Sequence, residues 1–284
     1  MALSLPLPLS VRELVDEVSE RIQQIPTELN EYGYDEFGLE PEWCRKLAWT
    51  GILLYHYYFR VETRGIENVP PGRVLLIGNH AGNSIPMDGG MLWLAMLLEA
   101  EPPRITRGMA EFYLPRIPWY SQLIRRIGAV VGTPENCRRL LEAEEAIMVF
   151  PEGHRGFIKP YSKAYQLQRF GSGFARLALE TKTPIVPVGI VGSEEQSPGL
   201  HDSKLLGRLI GAPAFPITAT FPWLGPLGFL PLPVKYRLHF GEPIWLEGDA
   251  GSDDVHVSEQ VDRVRDNISL LVEEALEQRR GWFS

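Results

Sequence analysis

The chain has 284 residues, 44% of them hydrophobic, with a formal net charge of −8 and a pI of about 5.4. This length is sufficient for one sizeable core with appendages. The acidic balance argues against nucleic acid as the main partner. Cys44 and Cys137 form no CxxC pair and give no metal signature, which fits a reducing compartment.

The first 66 residues are predicted to form a helical extension. The first ten lack a basic region and contain two prolines, so they do not resemble a secretory signal. The apolar segment 47–59 is shorter than the roughly 20 residues that span a bilayer as a helix. Basic residues flank it, and it holds one Trp and three Tyr, a pattern typical of a helix in the membrane interface. A helix packed on the protein's own core is an equal alternative for residues 42–64. A cytoplasmic, peripheral membrane protein is therefore expected.

Residues 67–284 are predicted to form an α/β domain. Alternating apolar strands and helices indicate a mostly parallel central sheet flanked by helices. The strands are expected at 74–77, 146–150, 185–191 and 234–240, and the helices at 89–100, 134–145 and 170–181. A C-terminal amphipathic helix follows, because apolar residues recur at steps of four and three from Val257 to Ala275.

The stretch VLLIGNHAGNSIPMDGG, residues 74–90, places a histidine in a loop after a buried strand. His80 titrates near neutrality, and Asp88, just beyond, could fix its tautomer and stabilise its charged form. This pattern predicts an acid–base site. The alternative is a loop histidine without a catalytic role and an aspartate that caps the following helix.

A second stretch, AIMVFPEGHRG at residues 146–156, also ends an apolar strand in a polar loop. Loops at the ends of neighbouring strands bind ligands in open α/β sheets. Glu152, Gly153, His154 and Arg155 are therefore candidate substrate-binding residues. Gly153 lets backbone approach a ligand, and Arg155 offers a fork for phosphate or carboxylate. A polar turn with an internal Glu–Arg pair is the alternative.

These stretches resemble the first and third conserved blocks of the glycerolipid acyltransferase family, which includes the lysophosphatidic acid acyltransferases. Residues 186–190, VPVGI, are similar to the fourth block, and the order and spacing agree. The resemblance covers roughly residues 60–250. It implies transfer of fatty acyl groups from acyl-CoA or acyl carrier protein to lipid hydroxyls. His80 would then be the general base and Asp88 the carboxylate behind it, with no other cofactor.

Two features depart from the family pattern. Seven residues separate His80 from Asp88, where four are usual, and this variant resembles the neutral-lipid, diacylglycerol-type branch. The second block normally carries an arginine for the acceptor's phosphate, and residues 128–133 have none at the matching place. The resemblance therefore leaves a neutral glycerolipid or another lipid alcohol as likely an acceptor as lysophosphatidic acid.

Two further regions have open interpretations. Seven arginines between residues 104 and 139 could bind phosphates or anionic lipid heads, or could form local ion pairs. The proline-rich segment 197–233 is predicted to be irregular and to line an acyl channel, meet the membrane or pack over the sheet. At the level of activity, the leading hypothesis is a membrane-associated acyltransferase. The alternatives are a lipid ester or thioester hydrolase and a non-catalytic lipid-binding protein.

Overall fold

A single large sheet positions the rest of the molecule. The computed structural model describes residues 11–112, 114, 120–210, 214–249 and 251–284. The strands in these ranges are β1 Glu62–Arg64, β2 Val74–Gly78, β3 Arg107–Ala110, β4 Val130–Val131, β5 Ala146–Val149, β6 Ile185–Val191, β7 Gly199–Ser203, β8 Phe215–Thr218 and β9 Arg237–Phe240. Seven form one sheet in the order β1-β9-β6-β2-β5-β3-β4, whose β6–β9 contact is antiparallel and whose other contacts are parallel. The predicted mostly parallel sheet is confirmed.

The helices fall close to where the sequence predicts them. In the described ranges they are α1 Val11–Gln23, α2 Pro41–Leu53, α3 Met87–Leu98, α4 Tyr120–Arg126, α5 Pro134–Glu142, α6 His154–Phe157, α7 Gly173–Thr181, α8 Ser193–Gln196, α9 Lys204–Ile210 and α10 Asp254–Glu277. Local chemistry sets their starts. Thr133 accepts from the amide of Asn136 at the start of α5, and Asp253 accepts from the amide of His256 at the start of α10.

Two hydrophobic cores cover the two faces of the sheet. In β2, Val74 and Leu76 face the core built with α1, α2 and α3, while Leu75 and Ile77 face the core built with α5, α7 and α10. A strand buried on both faces must be apolar throughout, which explains its unbroken apolar sequence. The predicted C-terminal helix is confirmed, and its buried stripe comprises Val257, Val261, Val264, Ile268, Val272 and Ala275.

The N-terminal helices pack against the sheet domain. Arg21 of α1 donates to the carbonyls of Leu97 and Ala100 at the end of α3, at 2.7 Å each. The buried face of α2 belongs to the same core as α3. The division of the chain at residue 66 stays a prediction.

Helix α2 continues as a π-helical turn, Leu54–Tyr58, and presents two different sides. One side is buried in the core, as one of the two interpretations of 42–64 expects. The other exposes Trp49 and Tyr57, which are 45% and 49% accessible. Contact of that side with a membrane stays a prediction. No helix in the described ranges is long and apolar enough to cross a bilayer.

The prediction of an irregular segment at 197–233 is wrong over much of its length. Residues 199–230, which we call the excursion, hold the antiparallel pair β7–β8 and helix α9. The rings of Phe215, Phe221 and Phe229 pack together as a small core of their own, with centroids 4.2 to 6.0 Å apart. These elements have no periodic signal in the sequence, because the segment contains many prolines and its strands are only four or five residues long.

Candidate active site

The site forms where β2 and β5 end side by side. These strands are parallel neighbours, with Ile77 opposite Val149, so their carboxyl ends meet at one edge of the sheet. The backbone amide of His80 donates to Oε1 of Glu152 at 2.9 Å. The structure thus brings together the two stretches that the sequence singled out.

Asn79 sets the direction in which the first loop leaves the sheet. Its side-chain amide donates to the carbonyl of Ile190 at 2.9 Å and accepts from the amide of Ile190 at 2.7 Å. The Asn79 side chain therefore joins β2 to β6 beyond the last backbone pairing, and it is buried. Asn79 lies within the sequence motif, but nothing in the motif indicates this structural role.

His80 and Asp88 are in direct contact. Nδ1 of His80 lies 2.6 Å from Oδ2 of Asp88, which is fully buried. The Asp88 carboxylate also accepts from the backbone amides of Ala81, at 2.9 Å, and Gly89, at 2.8 Å. Asp88 lies in the first turn of α3, where the helix dipole stabilises a negative charge. The carboxylate is therefore held in one orientation.

The imidazole of His80 is enclosed, with 15% of its side chain exposed. It stacks against the rings of Phe150 and Phe157, with centroids 4.5 and 4.9 Å away. Burial opposes the charged form and acts to lower the pKa of His80. The negative charge of Asp88, and to a smaller extent those of Glu152 and Glu111, favours the charged imidazole more strongly than burial opposes it. The pKa of His80 is therefore raised above its usual value of 6.5. With Nδ1 directed at Asp88, Nε2 is left to accept a proton.

An apolar cavity of about 370 Å³ opens beside His80. Its size is typical of small-molecule and lipid pockets. Its described lining residues lie between positions 47 and 150 and come chiefly from α2, α3, β3 and α4: Leu47, Thr50, Gly51, Leu54, His80, Ile85, Pro86, Met87, Gly89, Gly90, Met91, Trp93, Leu94, Thr106, Gly108, Met109, Ala110, Leu114, Tyr120, Leu123, Ile124, Ile127, Ala129, Met148 and Phe150. None of the described residues of the excursion lines this cavity, and a role of 197–233 as the wall of an acyl channel stays a prediction.

The four candidate substrate-binding residues lie outside that lining. Glu152 is buried, and its second oxygen, Oε2, accepts from the backbone amide of Gln168 at 2.6 Å. Gly153 precedes α6, and the amide of His154 donates to Oε1 of Glu111 at 2.7 Å. The exposed side chain of Arg155 donates to the carbonyl of Arg169 at 3.1 Å. Glu152 ties loops together, and the substrate roles of these residues stay predictions.

Most of the arginine cluster forms local ion pairs. Arg107 is buried and contacts the carboxylates of Asp35 and Glu145, at 2.6 and 2.8 Å. Three others also pair with carboxylates: Arg126 with Glu40, Arg138 with Glu135 and Glu180, and Arg139 with Glu36. Arg116 lies outside the described residues. The ion-pair interpretation therefore holds for these four arginines.

The cysteines and acidic groups suggest no other chemistry here. Burial raises the pKa of Cys44 to about 12 and that of Cys137 to about 11, which keeps both thiols protonated and unreactive. Among the residues that the structure describes, no three His, Cys, Asp or Glu side chains are grouped to hold a metal ion.

Comparison with known proteins defines the class. Residues 60–191 match the family model Acyltransferase. The chain is 40% identical over 283 residues to an uncharacterized protein of Mycobacterium tuberculosis strain H37Rv, spanning 97% of this chain and 78% of that protein. It is 28% identical over 201 residues to the human "DGAT1/2-independent enzyme synthesizing storage lipids", spanning 69% of this chain and 56% of that protein.

A solved structure has the same fold. The 1-acyl-sn-glycerophosphate acyltransferase PlsC of Thermotoga maritima aligns with a TM-score of 0.53 and 21% identity, over 83% of this chain and 81% of that one. The match to the family model defines an acyltransferase, and the solved structure shows the same fold. The chain belongs to the acyltransferase family, and the resemblance to the glycerolipid acyltransferases that its motifs carry is confirmed.

Proposed function

We propose that this acyltransferase moves a fatty acyl group from a thioester, acyl-CoA or acyl carrier protein, to the hydroxyl of a glycerolipid or related lipid alcohol. One observation carries the proposal. The imidazole of His80, with Nδ1 2.6 Å from Asp88, lies on the wall of an apolar cavity of about 370 Å³. Acyl transfer to a lipid hydroxyl requires a base that accepts the hydroxyl proton and an apolar pocket that binds the alkyl chain.

In the proposed mechanism His80 is the general base and Asp88 its positioning carboxylate. Nε2 of His80 takes the proton of the acceptor hydroxyl while the hydroxyl oxygen attacks the thioester carbonyl. The new C–O bond forms, the C–S bond breaks, and the imidazolium returns its proton to the leaving thiolate. The carboxylate of Asp88 stabilises the imidazolium between these steps. Such a base contributes roughly 10²- to 10⁴-fold to the rate.

We propose a neutral glycerolipid or lipid alcohol as acceptor, ahead of a lysophosphatidic acid. Residues 128–133 lack the arginine that the family uses for phosphate, and Arg107, Arg126, Arg138 and Arg139 pair with carboxylates of this chain. The human relative is named for synthesising storage lipids, which agrees with a neutral acceptor.

The proposed enzyme works at a membrane surface, with the excursion as its main contact. Four of the excursion's apolar side chains, Trp223, Leu224, Leu227 and Leu230, are between 58% and 71% exposed. Residues 199–230 contain one acidic residue, Asp202, in a chain that has 36. Exposed apolar side chains in a segment almost free of negative charge suit a bilayer with anionic lipids. The hydroxyl of Tyr58 donates to the carbonyl of Pro231 at 2.7 Å, which joins the residue after the excursion to the π-helical turn that follows α2.

The test is product analysis with the purified full-length chain. Labelled acyl-CoA and acyl carrier protein are each offered with diacylglycerol, monoacylglycerol, long-chain alcohol or lysophosphatidic acid, and His80→Ala is the control. The proposal expects a labelled ester that depends on the acceptor and is lost in His80→Ala. Release of free fatty acid alone would favour the hydrolase, and identical products from both proteins would overturn the role of His80.

A further inference from the structure

A buried polar segment follows β6 and packs behind the His80–Asp88 loop. Residues 193–197 are all buried, an unusual position for two consecutive glutamates. Glu194 lies 2.7 Å from Nζ of Lys159, and Glu195 lies 2.6 Å from Arg279 of the chain's C-terminal end. These two ion pairs hold α8 in place.

Gln196, at the end of α8, uses its whole side-chain amide. Its Nε2 donates to the carbonyl of Ile85 at 2.7 Å and to that of Gly82 at 3.2 Å. Its Oε1 accepts from the hydroxyl of Tyr236 at 2.6 Å. Both carbonyls belong to the seven residues between His80 and Asp88.

The loop that receives these bonds has an irregular backbone. Gly82 has φ +129° and Asn83 has φ +55°, and a side chain at Gly82 would collide with the amide of Gln196. The side chain of Asn83 donates to the carbonyl of Ser197 at 2.9 Å. Because the loop forms no regular structure, its shape depends on partners outside it. These partners are residues 196 and 197 and the carbonyl of Phe157, which accepts from the backbone amide of Asn83 at 3.0 Å.

The shape of this loop matters at both ends. It begins at His80 and ends at Asp88, whose side chains meet at 2.6 Å. Ile85, just before the end, lines the cavity, and its carbonyl is the closer acceptor of the Gln196 amide. A displacement of this turn would move the carboxylate relative to the imidazole and shift the cavity wall beside it.

We propose that Gln196 is a positioning residue for acyl transfer, which sets the His80–Asp88 contact by fixing the longer loop of this chain. The inference rests on the proposed function, in which His80 is the base. Gln196 touches no substrate and acts through the loop. Tyr236 supports it by holding the amide in the orientation that directs Nε2 at the two carbonyls.

The test replaces Gln196 with methionine, which keeps length and volume and removes both donors. The imidazole of His80 is titrated by NMR in the full-length wild type and in Gln196→Met, with His80→Gln used to assign its signal. Loosening the contact with Asp88 removes the influence that raises the pKa, so the pKa of His80 is expected to fall in the variant. In turnover, kcat is expected to fall about 10- to 100-fold with KM changed less than threefold, because misplacement by about 1 Å can cost this much.

Two further variants distinguish a loss of loop position from a general loss of stability. Tyr236→Phe removes only the hydroxyl and is expected to show a smaller shift in the same direction, also if Gln196→Met fails to fold. Ile268→Ala, in the buried stripe of α10, is the control that destabilises the fold without touching the loop. An unchanged His80 titration in both loop variants, with activity reduced only as in Ile268→Ala, would overturn the inference. The NMR titration needs no turnover, so it stands apart from a failure of the acyl-transfer proposal.

Discussion

Nδ1 of His80 lies 2.6 Å from Oδ2 of Asp88, although seven residues separate them in the chain. Asp88 reaches the histidine because α3 begins at Met87 and places the carboxylate in its first turn. The same oxygen accepts from the amide of Ala81 at 2.9 Å, which anchors the start of the loop to its end. The longer spacing thus preserves the pair.

Removing the base should slow acyl transfer strongly. For His80→Ala we expect kcat/KM to fall about 10²- to 10⁴-fold, the range that a positioned general base contributes. Initial rates of ester formation with purified protein would measure this loss. His256→Ala is the matched control, because His256 lies on α10 and outside the cavity lining. Equal losses in both variants would contradict the assignment.

The pH profile should report the raised pKa of His80. A base must be neutral to accept a proton, so kcat/KM should rise with pH through a midpoint above 6.5. In Asp88→Asn the carboxylate that raises the pKa is lost while burial remains, so the midpoint should move to lower pH. Rates measured between about pH 5 and 9 would check both. A midpoint that is the same in both proteins would show that another group titrates.

The cavity should set the chain length of the acyl group. Gly90 lines it, and nothing lies within 4 Å of the position that a Cβ would take there. Gly90→Phe should fill the cavity and lower kcat/KM for long-chain donors about 10- to 100-fold relative to short ones. Gly90→Ala, which adds one methyl group, is the control. A uniform loss across chain lengths would place the acyl group elsewhere.

Glu152 should matter for stability. Its two oxygens accept from the amides of His80 and Gln168, so Glu152→Gln would turn an NH₂ group toward a buried donor. We expect a loss of about 1–3 kcal/mol in the free energy of unfolding, measured by urea denaturation. Glu111→Gln is the control, because Glu111 accepts from one amide at a half-exposed position where water can replace it. Equal stability of the two variants would contradict the role of Glu152 in joining the loops that contain His80 and Gln168.

The excursion should carry the membrane affinity. Burying Trp223 and Leu227 in lipid contributes about 1.5–3 kcal/mol each, so serine at either position should weaken partitioning about 10-fold or more. Flotation with vesicles that contain anionic phospholipid measures this. Leu270→Ser is the control, since Leu270 is 58% exposed on α10. If wild type and variants float alike, the surface contact proposed for the excursion is wrong.

The amino-acid sequence by itself determined the α/β class, the main strands and the residues at their carboxyl ends. Those features are local: an apolar run such as Val74–Gly78 and the polar loop that follows it are visible in a single stretch. The neighbouring positions of His80 and Glu152 could also be expected, because parallel strands end at the same edge.

The tertiary structure alone decided which partners those residues have. Asn79 pairs with Ile190, and Gln196 holds the loop at Gly82 and Ile85, more than 100 positions away in the chain. No periodicity encodes such contacts, because a side-chain amide finds its partner only after the strands have taken their order. Likewise, the cavity arises from packing α2, α3 and α4 over the sheet edge, and none of the described residues of the excursion lines it.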